Sequence, residues 1–351
     1  WFTEFYEIVV NNGGFDVIIG NPPYVAMSKI KYIKREDQFE CSDLYGYVIK
    51  RVLQILSSTG MHGFIVMHNL AFSKNFADVR SELFKHAKYL WCSFYARIPA
   101  GLFSGDVRVR NCIYILQPGS RILCSYTTKI HRWFSSDRDS LFFKLRYSNF
   151  GAKTPIPMTP SEKLLAVFNR PLTEGLRILE NKIGKYQLSF KQNAYNWIAV
   201  SIDPAPCWEN SKKIEQTQTQ SIFFNTQEER DVILLLLGGK IFFSYWLTFG
   251  DEFHVTKNDL LSFRFPFKLL SREDKLKLLN LAKKFVDRLE ETIQYKLNAG
   301  KRVGTYNTSK LWSITDSADR IFLKYIASEP QIIQNEIENH VLSTVLTEED
   351  D

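Results

Sequence analysis

The sequence has 351 residues, of which 45% are hydrophobic and 24% are charged, and its formal net charge is +7. This length suffices for two domains, and this composition is that of a globular protein with a buried core, which excludes disordered, collagen-like and disulfide-scaffold classes. The basic charge is compatible with a polyanionic partner without requiring one.

Cysteines, histidines and apolar runs exclude three further features. The five cysteines are scattered without a C-x-x-C pair and the six histidines form no H-x-x-x-H pattern, so we expect neither a disulfide framework nor a metal site. The longest aliphatic run, residues 232–237, is far shorter than the ~20 residues that a membrane-spanning helix needs. The first residues also lack the basic and apolar segments of a secretory signal. We therefore expect a cytoplasmic protein without a membrane partner.

The first part of the chain alternates strand and helix patterns. Residues 15–19 (FDVII) are apolar and β-branched and end at Gly20, which is typical of a buried parallel strand. The patterns that follow are a helix capped by Ser42 and ended by Gly60, a strand at 63–67, a helix at 76–87, and strands at 89–95 and 109–116. This alternation predicts an α/β fold on a mostly parallel sheet, whose ligands bind at the carboxyl ends of the strands.

From about Gly151 the pattern changes. Three closely spaced prolines interrupt the chain, and no further strand–helix alternation follows. We therefore expect a first domain at 1–150 and a second, mixed α+β domain at 151–351. The second domain contains a helix pattern at 227–237, an aromatic-rich stretch at 242–253, and a long helix capped by Ser271 that has one apolar face.

Asn21, Pro22, Pro23 and Tyr24 follow the first strand directly, where ligands of such sheets bind. One interpretation is a stiff surface loop, because two prolines fix the backbone and Asn favours turns. A chemical interpretation rests on the exocyclic amine of an aromatic base, which is a poor nucleophile. An Asn oxygen and a rigid carbonyl at Pro22 can accept its two N–H groups and localise its electrons. Pro23 removes a competing donor, and Tyr24 offers a ring on which a planar base can stack.

The segment FDVIIGNPPYV resembles motif IV of the adenine-specific (N6) DNA methyltransferases, in the gamma arrangement with a TaqI-like C-terminal specificity domain, as in type II and IIG restriction–modification enzymes. The resemblance implies the second half of a Rossmann-like class I methyltransferase sheet, followed by a mixed α+β target-recognition domain. It also implies S-adenosylmethionine as cofactor, double-stranded DNA as partner, and methylation of a flipped adenine at N6. Asn21, Pro22, Pro23 and Tyr24 are then the catalytic motif.

Three further segments extend this resemblance. Residues 43–45 (DLY) lie in the region of motif V, and Phe103 ends a segment (PAGLF) similar to the region whose aromatic residue stacks on the flipped adenine. A core residue that anchors a turn is an equally good interpretation of Phe103. Residues 251–267 and the long helix after them resemble the end of a TaqI-like specificity domain, with an unrelated accessory domain as the alternative.

One departure from the family concerns the cofactor. The family binds S-adenosylmethionine through a Gly-rich turn and an acidic residue, both upstream of the NPPY strand, and no G-x-G precedes Phe15 in this chain. Asn21 is then the one residue that we expect beside the cofactor. We expect the chain to be the C-terminal part of a longer enzyme, or one subunit that pairs with the missing N-terminal half.

Basic residues near the motif are candidates for contact with the DNA backbone. Each such contact adds salt-dependent affinity that does not depend on sequence, although most basic residues are simply solvated. The candidates are Lys29, Lys31, Lys34 and Arg35 after the motif, and Arg108 and Arg110 near Phe103.

Three alternatives to this function stay open at the level of sequence. An NPPY motif also suits a protein glutamine amide or an RNA base amine, and a non-catalytic DNA-recognition subunit could keep the fold without the cofactor site. The size of the second domain favours DNA, because readout of several base pairs needs a separate groove-reading module.

Overall fold

The computed structural model describes residues 4–31, 39, 41–103, 109–151, 155–169, 176–177 and 184–345, with the backbone alone at 176–177. The chain divides into two compact units, Trp1–Glu162 and Lys163–Asp351.

A six-stranded sheet in the order β1-β2-β4-β3-β5-β6 forms the first unit, together with two helices. The strands are β1 (Phe15–Gly20), β2 (Leu56–Met67), β3 (Ala87–Tyr95), β4 (Asn111–Pro118), β5 (Cys124–His131) and β6 (Ser148–Asn149), and the helices are α1 (Leu44–Ile55) and α2 (Ala77–His86). A 3₁₀ segment at Ser135–Lys144 follows β5.

The sheet is mixed. β1 pairs with β2 in parallel, and β3 pairs with β5 in parallel, but β4 lies between β2 and β3 and is antiparallel to both. The predicted α/β class is confirmed at this level, and the expectation of a mostly parallel sheet holds for four strands. β4 and β6 depart from it, since each is antiparallel to its neighbours. No described helix separates β3 from β4, whereas a parallel neighbour needs a crossover connection.

β1 lies at the edge of the sheet. Its neighbour is β2, and the side chains of Val17 and Ile19 are 63% and 79% exposed. The expectation that residues 15–19 form a fully buried strand is therefore wrong, because no described element covers this edge. An exposed apolar edge strand of this kind is a template for pairing with a further strand.

The first helix ends earlier than its pattern indicated. α1 ends at Ile55 and the chain enters β2 at the next residue, so Gly60 lies within the strand. A Cβ at Gly60 would come within 2.8 Å of the carbonyl oxygen of Phe15, so the close approach of β1 accounts for this glycine. The predicted cap also differs: Asp43 is the N-cap residue, and the Ser42 hydroxyl donates to the Asp43 carboxylate at 2.7 Å.

Described residues between 151 and 162 belong to the first unit, although the sequence placed a boundary at Gly151. Ile156 is buried, and its N–H donates to the carbonyl of Ala71 at 2.9 Å. The Thr127 hydroxyl donates to the carbonyl of Pro157. These hydrogen bonds bind the proline-containing segment to the first unit.

The second unit combines helices with short antiparallel sheets. Its helices are α3 (Glu162–Phe168, which starts at the last residue of the first unit), α4 (Gln227–Gly238), α5 (Lys240–Phe249), α6 (Lys257–Ser262), α7 (Arg272–Leu289), α8 (Trp312–Ile326) and α9 (Pro330–Leu342). Its strands are β7 (Leu176–Arg177), β8 (Tyr186–Lys191), β9 (Val200–Ser201), β10 (Cys207–Glu209), β11 (Lys212–Ile214), β12 (Thr219–Phe224), β13 (Arg264–Phe265), β14 (Ile293–Asn298) and β15 (Lys301–Tyr306). They pair in the orders β11-β10-β15-β14, β12-β8-β9 and β13-β7.

α4, α5 and one face of α7 supply much of the core of this unit. The Ser271 hydroxyl accepts the N–H of Asp274 at 3.0 Å, so the predicted start of the long helix is confirmed. Its predicted apolar face is buried at Leu278, Ala282 and Phe285. The aromatic-rich stretch predicted at 242–253 lies in α5 as far as Phe249, and the residues of this helix from Lys240 to Thr248 are buried.

Among the described helices, none by itself has both the length and the apolar character of a membrane span. α4 and α5 meet these two criteria only when taken together, as a pair bent by 61°.

Candidate functional site

The NPPY segment leaves the carboxyl end of β1. Asn21 and Pro23 are exposed, Pro22 is buried and Tyr24 is half-buried. Within the described part of the chain, no hydrogen bond engages the side chain of Asn21, so its amide oxygen is available to accept one from a ligand.

Backbone hydrogen bonds hold the loop after Tyr24 against the start of α1. Leu44 N–H donates to the carbonyl of Val25 at 2.8 Å, and Met27 N–H donates to the carbonyl of Ser42 at 2.8 Å. These bonds place Tyr45, in the first turn of α1, beside the NPPY segment.

The hydroxyl of Tyr24 is fixed by two strands. It donates to the carbonyl of Ile65 in β2 at 3.1 Å and accepts from the amide of Asn111 at the start of β4 at 3.2 Å. Burial raises the pKa of Tyr24 to about 12, although the hydrogen bond from Asn111 acts in the opposite direction. Tyr24 is therefore a neutral, oriented ring at physiological pH.

Four aromatic rings gather around this position. Tyr24 lies edge-to-face with Phe103, with centroids 6.5 Å apart, and edge-to-face with Tyr45 at 6.2 Å. Tyr45 stacks on Phe76 at 4.7 Å, and its hydroxyl donates to Asn69 at 2.6 Å. The structure thus brings together two residues that the sequence selected from distant segments, Tyr24 and Phe103, in a geometry typical of aromatic clusters.

A hydrogen-bonded loop carries Phe103. Arg138 donates to the carbonyls of Gly101 at 3.2 Å and Leu102 at 3.3 Å, and Ala100 N–H donates to the carbonyl of Trp133 at 3.1 Å. Phe103 itself is half-buried. This loop is therefore held in place from the segment that follows β5.

Asn111, Asn69 and Arg138 orient the residues of the site, and the sequence did not predict them. Asn111 is buried, and its amide also donates to the carbonyl of Val66 at 3.4 Å. A local pattern does not single out such residues, because their partners lie on other strands or loops. The one sequence signal is a polar side chain at the start of the apolar run in β4.

The basic candidates are distributed unevenly. Lys29 and Lys31 are exposed just after the NPPY segment, and Arg110 is half-buried and accepts the N–H of His68 at its carbonyl, at 3.0 Å. Lys34, Arg35 and Arg108 lie outside the described residues.

The surroundings of Asn21 bear on the expected methyl donor. Asn21 is exposed, and the outward side chains of Val17 and Ile19 beside it are exposed as well. A donor at Asn21 would therefore be open to solvent on the side of β1, so the described residues do not by themselves form a complete site for S-adenosylmethionine. Among the described residues, no group of three or more His, Cys, Asp or Glu side chains could hold a metal ion.

Residues 1–95 match a family model described as Eco57I restriction-modification methylase. A protein of Methanocaldococcus jannaschii, named as a type II restriction enzyme and methyltransferase, is 33% identical over 119 residues. This alignment covers 33% of the present chain and 10% of the relative, so the chain matches about a tenth of that protein's length.

Solved restriction–modification enzymes are also similar. The Type IIL enzyme MmeI in complex with DNA has a TM-score of 0.45 and 9% identity, over 93% of this chain and 54% of that one. A nuclease-deletion mutant of the Type ISP enzyme LlaGI, bound to a DNA substrate mimic, has a TM-score of 0.33 and 16% identity, over 53% of this chain and 18% of that one. The family model thus places a similarity to restriction–modification methylases at residues 1–95, which include the NPPY segment, and the M. jannaschii relative is named as an enzyme of the same kind.

Proposed function

We propose that the chain is part of a DNA methyltransferase of a restriction–modification system that methylates a flipped adenine at N6. One observation carries the proposal: the unengaged amide of Asn21 follows β1 directly, in the same segment as the oriented ring of Tyr24, which contacts Phe103. Hydrogen-bond acceptors for an amine and an aromatic surface for its ring are what capture of an extruded base requires.

The residues of the motif have separate roles in this proposal. The Asn21 oxygen and the Pro22 carbonyl accept the two N–H groups of the adenine amine, which favours a localised lone pair on that nitrogen. Pro22 and Pro23 stiffen the segment, so little conformational entropy is lost when the base binds. S-adenosylmethionine, when bound, supplies the methyl group.

Tyr24 and Phe103 hold the base in this proposal. Their planes make an angle of 69°, so a base that stacks on the face of Tyr24 meets the edge of Phe103 unless Phe103 turns. Aromatic stacking of an unpaired base contributes about 1–3 kcal/mol per base, which offsets part of the cost of unstacking it from the duplex.

The remaining contacts to the donor are proposed to come from protein that pairs with β1. Val17 and Ile19 expose apolar surface on an edge strand, and burying them against a further strand or helix would stabilise the assembly. We assign this role to the N-terminal half of the enzyme or a partner subunit. The second unit, in this proposal, is the target-recognition domain.

Replacement of Asn21 tests the proposed function in the complete enzyme. Asn21→Ala should lower methyl transfer to duplex DNA by about 10²- to 10³-fold and leave DNA affinity nearly unchanged, because one acceptor of the reacting amine is lost. The matched control is Ser28→Ala, because Ser28 is exposed and lies four residues after Tyr24.

The product identifies the substrate. Mass spectrometry of nucleosides from DNA treated with the enzyme should yield N6-methyladenine. Transfer of the methyl group to RNA or to a protein glutamine instead of DNA would refute the assignment to DNA. Full methyl-transfer activity of Asn21→Ala would refute the role of the motif.

A further inference from the structure

Two adjacent hairpins in the second unit have their turns at the same end of one antiparallel sheet. β10 and β11 are joined by Asn210 and Ser211, and β14 and β15 are joined by Ala299 and Gly300. All four linking residues have positive φ, between 47° and 78°, which is the pattern of tight two-residue type I′ hairpin turns. β10 pairs with β15 through Glu209 and Lys301, so both turns lie at one end of the sheet.

One face of this sheet end carries cations and aromatic rings in a row. Residues directly opposite each other in antiparallel strands share a face. The register therefore places Lys213, Trp208, Arg302 and Leu297 side by side across the four strands. Lys213 and Arg302 are exposed, and Leu297 is 80% exposed.

The guanidinium of Arg302 is held by aromatic rings. It lies 4.3 Å from the centroid of Tyr295 and 5.7 Å from that of Trp208, and these two rings are 5.6 Å apart. Tyr295 covers Gly304, where a Cβ would come within 3.1 Å of the ring. These cation–π contacts restrain the guanidinium, and among the described residues none accepts a hydrogen bond from its N–H groups, so they are left for a ligand.

The charge of the two hairpins is strongly positive. They carry Lys212, Lys213, Lys296, Lys301 and Arg302, against the single carboxylate of Glu209. Lys301 lies 3.7 Å from Glu209. In the described part of the chain, Lys213, Lys296 and Arg302 form no ion pair with a carboxylate. On the outward face the two hairpins carry Lys213 and Arg302 and no carboxylate, so this face is complementary to an anion.

The opposite face of the hairpin is occupied by the unit itself. Lys191 of β8 donates to the hydroxyl of Thr305 at 2.7 Å, and Val303 and Thr305 are half-buried. The row of Arg302 and Lys213 thus faces outward because its reverse side is attached to the body of the unit.

We propose that the β14–β15 hairpin enters a groove of double-stranded DNA, with Arg302 reading a base edge and Lys213 contacting a phosphate of the flanking backbone. The major groove is about 12 Å wide and admits a two-stranded β ribbon. Lys213 lies two strands from Arg302, about 10 Å at the usual strand spacing, which is far enough to reach the backbone while Arg302 is in the groove. This inference rests on the proposed function, since it assigns the DNA-reading surface of that enzyme.

Binding of the full chain to a fluorescently labelled 30-bp duplex, without methyl donor, tests the assignment. The variant Lys213→Ala/Arg302→Ala should bind at least about 10-fold more weakly, and the slope of log K against log salt should become shallower by about 1 for each phosphate that the variant no longer neutralises. The matched control is Lys268→Ala/Lys284→Ala, which removes two exposed cations of the same unit.

Single changes separate the two roles. Lys213→Ala should weaken binding to all duplexes alike, whereas Arg302→Ala should relax the preference for one base pair, by about 5- to 150-fold in relative affinity. Arg302→Lys keeps the charge but loses the planar donors of the guanidinium. Its base-pair preference should therefore be relaxed as in Arg302→Ala, whereas its slope of log K against log salt should equal that of the unaltered chain.

Several outcomes would overturn the assignment. One is an equal loss of DNA affinity in the hairpin variant and the control variant. Another is hairpin-dependent binding of an RNA duplex that is tighter than binding of DNA. A third is the absence of DNA binding by the unaltered chain at low salt. Asn21 is unaltered in these variants and no methyl donor is present. Failure of methyl transfer with intact hairpin-dependent DNA binding would therefore count against the proposed function alone.

Discussion

The ring of Tyr24 meets the ring of Phe103 edge-to-face at a centroid distance of 6.5 Å. Tyr24 is fixed by hydrogen bonds to β2 and β4, whereas Phe103 is carried on a loop held by Arg138. The ring of Tyr24 is thus anchored in the sheet through its hydroxyl, whereas the described hydrogen bonds near Phe103 hold the backbone of Gly101 and Leu102. This difference predicts that Phe103 adjusts to a ligand and that Tyr24 does not.

Ring deletion should separate the contributions of these two residues. With 2-aminopurine at the target position of a duplex, the complete enzyme should raise the fluorescence as the base leaves the stack. Tyr24→Ala and Phe103→Ala should each weaken base capture by about 1–3 kcal/mol, and Tyr24→Phe should preserve most of it because the ring remains. An unchanged signal with Phe103→Ala would remove Phe103 from the site.

Asn111 should be a structural support of the site. Asn111→Ala removes the donors to Tyr24 and to the Val66 carbonyl, and we expect a loss of about 1–3 kcal/mol in the free energy of unfolding, measured with urea. Ser28→Ala should change it by less than about 0.5 kcal/mol, as is usual for an exposed position. Equal stability of the two variants would contradict this role.

The exposed edge of β1 should promote association. Lysine at exposed edge positions blocks the addition of strands, so Val17→Lys/Ile19→Lys should reduce self-association of the chain in sedimentation velocity runs at rising concentration. Leu269→Lys, at a residue of the second unit that is 56% exposed, should leave association unchanged. If the proposed N-terminal half or partner subunit pairs with β1, the double variant should weaken that contact as well. Unaltered association of the double variant would argue against this edge as an interface.

Asp319 should make stability depend on pH. Burial, and then the nearby charge of Asp316, raises the pKa of Asp319 to about 8. The carboxylate accepts the N–H groups of Lys240 at 3.0 Å and Ile241 at 3.3 Å at the start of α5. A Cβ at Gly239 would come within 2.7 Å of its other oxygen.

The direction of this pH dependence follows from the number of protons bound in the folded and unfolded states. Between pH values of about 4 and 8 the folded chain keeps a proton on Asp319 that the unfolded chain releases, so this group's contribution to stability falls as the pH rises through that range. The advantage of the unaltered chain over Asp319→Asn in unfolding free energy should shrink from pH 5 to pH 8. Urea denaturation of both proteins at several pH values measures it, and parallel pH profiles would refute the buried proton.

Local sequence determined much of the first unit and the main helices of the second. The apolar run before Gly20 predicted β1, Ser271 predicted the start of α7, and the spacing of Leu278, Ala282 and Phe285 predicted its buried face. These features depend on residues within one or two turns or one strand of each other. Propensity, capping and periodicity therefore suffice to specify them.

Tertiary structure alone decided how distant segments meet. The insertion of β4 between β2 and β3, the edge position of β1, and the approach of Phe103 to Tyr24 depend on which strand edges pair. The pairing of β10 with β15, which joins the two hairpins into one sheet, also depends on contacts between distant segments. The sequence placed Asn21 at the end of a strand, because that position is local. The family resemblance selected Phe103, but the sequence did not specify how Phe103 approaches Tyr24 or which amides orient Tyr24 and Tyr45. Those positions follow from long-range pairing, which local periodicity does not encode.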